Sequence, residues 1–247
     1  MEPILQVSHL TKSYPAFLLK DISFTMRPGS IMGLIGSKGA GKTTLIKAML
    51  GLVRPAGGSV RFFGEDYLAN QRELRQRLGF YSGELEYYPK KRVRDLIAVS
   101  REFYERWDEP AFRRYLQVFR IDDTRPIGEL DGLKRARLAI AEGLSHAAEL
   151  LLLDEPTFGL NPAARDELIE DIRFLKRQGI SVFFSSHYTY DLEKCADDIS
   201  YLRDGELLAS EALVDFISFR RQLGFGSSLE RIMIHYERGA WNDAAGQ

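Results

Sequence analysis

The sequence predicts an α/β protein, a mainly parallel sheet with an inserted helical subdomain. Short apolar runs alternate with stretches of helical period, the pattern of strands joined by helices in a parallel sheet. One such run, Ile31-Met32-Gly33-Leu34-Ile35, feeds a glycine-rich bend, and the helical pattern Leu45 to Leu50 follows directly. From about Asn70 to His146 charges become dense and apolar residues take helical spacing, which marks the insertion.

Taken in order, Ile4-Leu5-Gln6-Val7 reads as a short strand and Leu18 to Met26 as a second, with Tyr14 between them. Arg27-Pro28-Gly29-Ser30 is a turn into the strand at Ile31. Beyond the first helix, Arg54-Pro55-Ala56-Gly57-Gly58 is a loop, and Ser59 to Phe63 a strand closed by Gly64-Glu65-Asp66. Within the insertion, Val93, Leu96 and Ile97, then Phe103 and Tyr104, then Ala111, Tyr115, Leu116 and Phe119 fall at helical intervals. Leu150-Leu151-Leu152-Leu153-Asp154 has no alternation, as expected of a strand buried on both faces. A helix is expected from Pro162 to about Gln178, with proline in its first turn and Gly179 as its stop. Ile180 to Ser185 is a strand ending at Ser186-His187, and Ile199 to Leu202 with Glu206 to Ala209 forms a hairpin across Arg203-Asp204-Gly205. Two further helical patterns follow Glu211. The expected division is a core of 1–69 and 147–210, a helical subdomain of 70–146 and a helical tail of 211–247.

Composition narrows the function classes. A formal charge of -1 and a pI near 6.5 provide no basic field for nucleic acid, so none is expected as a partner. The single cysteine, Cys195, excludes an internal disulfide framework and fits a reducing compartment. No apolar run approaches the roughly 20 residues needed to cross a bilayer, and no secretory signal pattern is expected at the N-terminus. Any membrane role must therefore come through a partner.

The chemistry starts at Gly36-Ser37-Lys38-Gly39-Ala40-Gly41-Lys42-Thr43-Thr44, which fits G-x-x-x-x-G-K-[ST] with Gly36, Gly41, Lys42 and Thr43 on the defining positions. Glycines let the backbone curl so that successive N–H groups point at phosphate oxygens, reinforced by the positive end of the next helix. Lys42 is expected at the β- and γ-phosphates and the Thr43 hydroxyl on magnesium. The plainer alternative, a glycine turn that happens to carry Lys-Thr, leaves the flanking strand and helix unexplained. Asp154 and Glu155, after four leucines, can hold magnesium and polarise an attacking water. A lone histidine such as His187 is more often structural. Here its strand ends beside the phosphate loop and the acids, where ligands of parallel sheets sit.

In order and approximate spacing, the run Gly36 to Thr44, the run Leu152-Leu153-Asp154-Glu155-Pro156-Thr157-Phe158-Gly159-Leu160-Asn161-Pro162, and Ser185-Ser186-His187 resemble the nucleotide-binding subunit of ATP-binding cassette (ABC) transporters. The resemblance covers about residues 4 to 210. It implies a P-loop NTPase core with an antiparallel β subdomain beside the parallel sheet, with ATP and Mg2+ bound. It also implies Tyr14 stacked on adenine, Asp154 on magnesium, Glu155 as catalytic base and His187 at the γ-phosphate, with Lys42 completing the catalytic set. Phe103-Tyr104-Glu105-Arg106-Trp107-Asp108 and Ser227-Ser228-Leu229-Glu230 look like the exporter (ABC-2-like) branch. Implied partners are integral-membrane permease subunits, docked through Gly83 to Val93, and a second cassette, identical or different. The implied location is cytoplasmic, peripheral on the inner face of the cell membrane through the permease.

Three places depart from the family pattern. Members carry Leu-Ser-Gly-Gly-Met-Lys-Gln-Arg, a signature offering serine and backbone N–H groups to ATP on the opposite cassette. Here the aligned stretch is Leu130-Asp131-Gly132-Leu133-Lys134-Arg135-Ala136-Arg137. A carboxylate 4 Å from a phosphate charge costs about 4 kcal/mol per charge pair at an effective dielectric of 20, and Leu133 lacks the close approach of glycine. Asp131 is equally well placed to cap the following helix. The family's glutamine after the strand corresponding to Leu78-Gly79-Phe80-Tyr81 is replaced by Gly83, followed by Glu84, and Asn161 stands where an aspartate crosses the dimer interface. Competing expectations are a regulatory or degenerate cassette with little ATPase, a soluble cassette of DNA repair or translation, and a metabolite kinase. The second is disfavoured by the absence of coiled-coil or tandem sequence, the third by the absence of an acceptor motif.

Overall fold

The structure is a computed structural model, and it describes residues 2–82 and 88–237. β1 (Leu5–Tyr14) and β2 (Phe17–Met26) form an antiparallel hairpin, and β3 (Ile31–Ile35) leads into α1 (Lys42–Met49). β4 (Gly57–Phe62) and β5 (Glu65–Asp66) extend the hairpin, followed by α2 (Gln71–Arg75) and β6 (Leu78–Ser82). Three helices come next: α3 (Val93–Ser100), α4 (Glu109–Val118) and α5 (Gly132–Ser145). β7 (Leu150–Asp154), α6 (Pro162–Arg177), β8 (Ser181–Ser186) and α7 (Thr189–Cys195) return to the sheet. The chain then runs through β9 (Asp198–Arg203), β10 (Glu206–Ala212), α8 (Leu213–Gln222) and α9 (Leu229–Glu237).

All the strands join one ten-stranded sheet in the order β5-β4-β1-β2-β10-β9-β3-β8-β7-β6. The half from β9 to β6 is parallel, and Ile35 lies beside Ser186 and Ser82 beside Asp154, so these carboxyl ends share one edge. The other half is antiparallel and joins it through β2 and β10, at Lys20 and Glu206. β3, β7 and β8 are buried along their whole length, as runs without alternation require when helices cover both faces. One apolar cluster lies between the antiparallel half, α1 and α2; a second lies under α6 to α9 and includes Ala136 and Ile140 of α5. A third, around Val93, Ile97, Phe112, Leu116 and Leu138, is the private core of the helical region.

The expected boundaries shift in one place. β6 lies inside the stretch 70–146 yet pairs with β7 in the sheet, and Leu74 of α2 joins the first cluster, so the separate helical packing starts near Val93 rather than at residue 70. Helices α8 and α9, within the expected helical tail, bury Phe216, Leu229, Ile232 and Tyr236 in the second cluster. The early hairpin is also longer than its alternation suggested. Positive φ at His9 and Asp21 and register shifts after Val7 and Leu10 break the period without ending the pairing. At Gly79, a Cβ would collide with Leu151 and lie 3.5 Å from Cα of Gly143, so α5 rests on β6 backbone to backbone. Among the described residues, no helix is long and apolar enough to cross a membrane.

Candidate functional site

The end of β3 bends into α1 through backbone that only glycine adopts cheaply. Gly39 and Gly41 have φ of 90° and 106°, and a Cβ on Gly41 would strike the Phe17 ring. Helix α1 starts at Gly41 with no side chain capping it, so its first-turn N–H groups are available to an anion.

Lys42, the first residue of α1, is buried and turns back under the loop. Its ammonium donates to Gly36 O at 2.7 Å and Ser37 O at 3.1 Å, and pairs with Glu155 Oε1 at 3.0 Å. The other oxygen of Glu155 lies 2.8 Å from His187 Nδ1. Glu155 itself has a left-handed backbone, φ 48°, immediately after β7 ends, and its N–H donates to Ser185 Oγ at 2.9 Å. That hydroxyl donates in turn to Asp154 Oδ1 at 2.6 Å. Burial pushes the Asp154 carboxyl above its usual range, against the pull of its hydrogen bonds from Ser185 and Thr43. Lys42, Thr43, Asp154, Glu155 and His187, with Phe17, Lys38, Thr44, Lys47, Ser82 and Phe158, line a cavity of about 600 Å3 at the shared strand edge.

The donor set suits Mg2+. Mg2+ takes one or two protein oxygens and fills its shell with phosphate and water, and the Thr43 hydroxyl hydrogen-bonded to Asp154 is such a pair. Among the described residues there is no cluster of three or more His, Cys, Asp or Glu that would instead form an all-protein metal cage.

Lys38, Gly39, Gly41, Lys42, Thr43, Thr44, Asp154, Glu155 and His187 therefore meet at one cavity, while Gly36 and Ser37 line its neighbour, which shares His187. Ala40 is buried behind the loop. Tyr14 does not line the cavity. It is 40% exposed under the Lys12 ammonium, 4.7 Å from its ring centre, and the aromatic ring against the loop is Phe17. Asp131 caps α5, its Oδ1 accepting from Lys134 N at 2.8 Å with the Lys134 ammonium 3.7 Å from Oδ2. Gly132 opens that helix against Leu160, and Leu133 packs half-buried on the second cluster. Asn161 caps α6, accepting from Ala164 N at 3.0 Å. None of Asp131, Gly132, Leu133 and Asn161 lines the cavity. Gly83 and Glu84 lie outside the described residues, as does Tyr87 of the expected docking loop. Sequence reasoning missed Phe17, Ser185 and Phe158 as lining or bonding partners. Ser185, inside the Ser185-Ser186-His187 run, and Phe158, inside the run Leu152 to Pro162, carried a signal, whereas Phe17 did not.

The family profile described as ABC transporter matches residues 19–158. The bacitracin transport ATP-binding protein BcrA of Bacillus licheniformis is 31% identical over 212 residues, 84% of this chain and 69% of that protein. The linearmycin resistance ATP-binding protein LnrL of Bacillus subtilis is 29% identical, covering 87% of this chain and 71% of its own. The ribose import ATP-binding protein RbsA 2 of Burkholderia ambifaria is 33% identical, but the chain spans only 44% of its length. A solved structure described as the ATP binding subunit of an ABC transporter superimposes with a TM-score of 0.81 at 26% identity, over 94% of this chain and 98% of that one. This chain is an ATP-binding cassette with the α/β P-loop NTPase fold and belongs to the ABC transporter family of ATPases.

Proposed function

We propose that the chain is the energy-coupling subunit of an exporter, closing on ATP against a second cassette and driving separate membrane permease subunits. The observation that carries this reading is the convergence of Lys42, Thr43, Asp154, Glu155 and His187 on one cavity. Export is supported by the relatives named for bacitracin transport and linearmycin resistance, of which the chain spans more than two thirds. In this reading the chain works at the inner face of the cell membrane, held there by the permease.

An ammonium has three N–H donors, and those of Lys42 are directed at two loop carbonyls and Glu155. The carbonyls belong to the loop itself, so an arriving γ-phosphate takes the place of the carboxylate. Glu155 is then free to accept a proton from water as the water oxygen bonds to the γ-phosphorus and the bond from phosphorus to the ADP oxygen breaks. His187 donates to Glu155 through Nδ1, and Nε2 can donate to the γ-phosphate as well only when the ring is the imidazolium, a cation between two anions. Thr43 and Asp154 are the residues that would hold Mg2+, which when bound would offset charge building on the phosphate oxygens.

One observation favours a second reading, a regulatory or degenerate cassette with little ATPase of its own. Asp131 presents a carboxylate at the helix start where the family offers its signature serine. Both readings meet in an asymmetric assembly, where a different cassette supplies an intact signature to this chain's ATP. The test is ATP turnover by the purified chain across a concentration series, with Glu155→Gln as the blank. Turnover rising steeply with protein concentration and absent in the variant indicates a catalytic homodimer. ATP binding with turnover no higher than the blank's indicates a chain completed by another cassette or the permease.

A further inference from the structure

Asp191 is an acid that the scheme above does not use, yet it is fully buried beside the site. It lies in the first turn of α7, four residues after His187. Its Oδ2 accepts from the Thr157 hydroxyl at 2.6 Å and the Ser186 hydroxyl at 3.4 Å. Its Oδ1 takes the Arg165 guanidinium, at 2.8 Å from Nη2 and 3.2 Å from Nε. The three partners come from three different segments. Thr157 lies two residues after Glu155, Ser186 immediately precedes His187, and Arg165 is in the first turns of α6, the helix capped by Asn161.

The contacts close on themselves. The Arg165 guanidinium lies 3.8 Å from the centre of the Tyr188 ring, and that ring is 4.0 Å from the His187 ring. Tyr188 N donates to Ser186 Oγ at 3.0 Å, and His187 Nδ1 meets Glu155 Oε2 at 2.8 Å. A circuit therefore runs from Glu155 through His187, Tyr188, Arg165, Asp191 and Thr157 back to the segment that carries Glu155. Packing alone would not require a charged group here, since burying a carboxylate is costly unless every bond is made.

We propose that Asp191 is a positioning residue: it bolts the segment after Glu155 to the segment carrying His187, so that histidine and carboxylate keep their hydrogen-bonded geometry. This rests on the reading of Glu155 as base and His187 as its partner. A misplacement of about 1 Å at such a pair costs on the order of 100-fold in rate.

The test joins a spectroscopic readout to kinetics. The ring-nitrogen resonances of His187, assigned with His187→Gln, are compared in the parent chain, Asp191→Asn, Asp191→Glu and Glu155→Gln. Because Asp191→Asn strands the Arg165 charge and so threatens the fold, Thr157→Val, which removes one hydroxyl and keeps the ion pair, runs beside it. The expected result is that Asp191→Asn and Thr157→Val shift the His187 resonances in the direction Glu155→Gln does, and that Asp191→Glu restores most of the parent signal. Turnover at saturating ATP, measured in whichever assembly is active, should fall about 10- to 100-fold with KM changed far less. Unmoved His187 resonances in folded Thr157→Val and Asp191→Asn chains overturn the proposal and leave Asp191 a stability residue. If instead Glu155→Gln turns over like the parent, the base reading fails, and the His187 resonances still decide whether Asp191 holds that ring.

Discussion

Helices α1 and α5 both begin beside a glycine with a lysine close behind, yet their first turns are spent differently. At α1 the cap residue is Gly41, which offers no side chain, and Lys42 is folded into the cavity against Glu155. At α5 the cap is Asp131, whose carboxylate takes the Lys134 N–H and lies within salt-bridge reach of its ammonium. One helix start is left for a ligand, and the other is satisfied by its own residues. The same glycine-and-lysine vocabulary thus gives a phosphate cradle or a closed cap, depending on whether the preceding residue supplies an acceptor.

The largest effect should come from the lysines. Lys42→Met should weaken ATP binding about 100-fold, the loss of a charge-assisted hydrogen bond worth roughly 2 to 3 kcal/mol. Lys134→Met should leave it within about twofold, because its neighbour is a surface ion pair of small worth. Calorimetric titration with ATP in EDTA reads both. Equal losses would erase the distinction between the two helix starts.

The far end of α5 should respond to pH. His146 is its C-cap, with Nε2 donating to Leu78 O at 3.1 Å, and burial lowers its pKa from 6.5 to about 4. The unfolded chain takes up that proton first, so the contribution is complete above pH 6.5 and is lost as pH falls from there toward 4. The loss is on the order of 3 kcal/mol at most. Urea midpoints across this range should fall less steeply for His146→Gln than for the parent chain.

A smaller change sharpens the capping argument. Asp131→Ala should cost about 1 kcal/mol of stability and leave ATP affinity of the isolated chain unchanged. Asp131→Ser, which keeps a capping oxygen and removes the charge, should cost less than about 0.5 kcal/mol. If the carboxylate is what impairs a homodimer, the serine variant also raises turnover of the chain alone, whereas the alanine variant loses stability first.

Much of this arrangement was legible because local chemistry dictates it. The unbroken leucines at 150–153, the glycines at 39 and 41, and the capping character of Asp131 each follow from one residue and its neighbours. The aromatic at the cavity was not legible. Tyr14 and Phe17 face each other across the hairpin turn, and no local pattern says which of two paired rings lies on the loop. Asp191 was hidden for another reason. Asp191-Leu192-Glu193-Lys194 reads as an exposed helical turn, and only the return of Thr157 and Arg165 from distant segments makes its burial tolerable. The strand at Leu78 to Tyr81 was legible through the family resemblance, but the charged surroundings put it within the bounds of the helical stretch, although its partner is β7, some seventy residues away.

The bare contact between Gly79 and Gly143 makes α5 a lever with its fulcrum near one end. Asp131 lies twelve residues from that fulcrum, about 18 Å along the helix at 1.5 Å per residue, so a tilt of about 5° would sweep the capped tip through about 1.6 Å. That is more than half a hydrogen-bond length, and the Leu151 side chain, which lies against both glycines, would have to follow the tilt. A rotation of that size would be enough to carry the closed start of α5 into or out of reach of a neighbouring molecule, with the Arg137 pairs to Glu167 and Asp171 as its restraint.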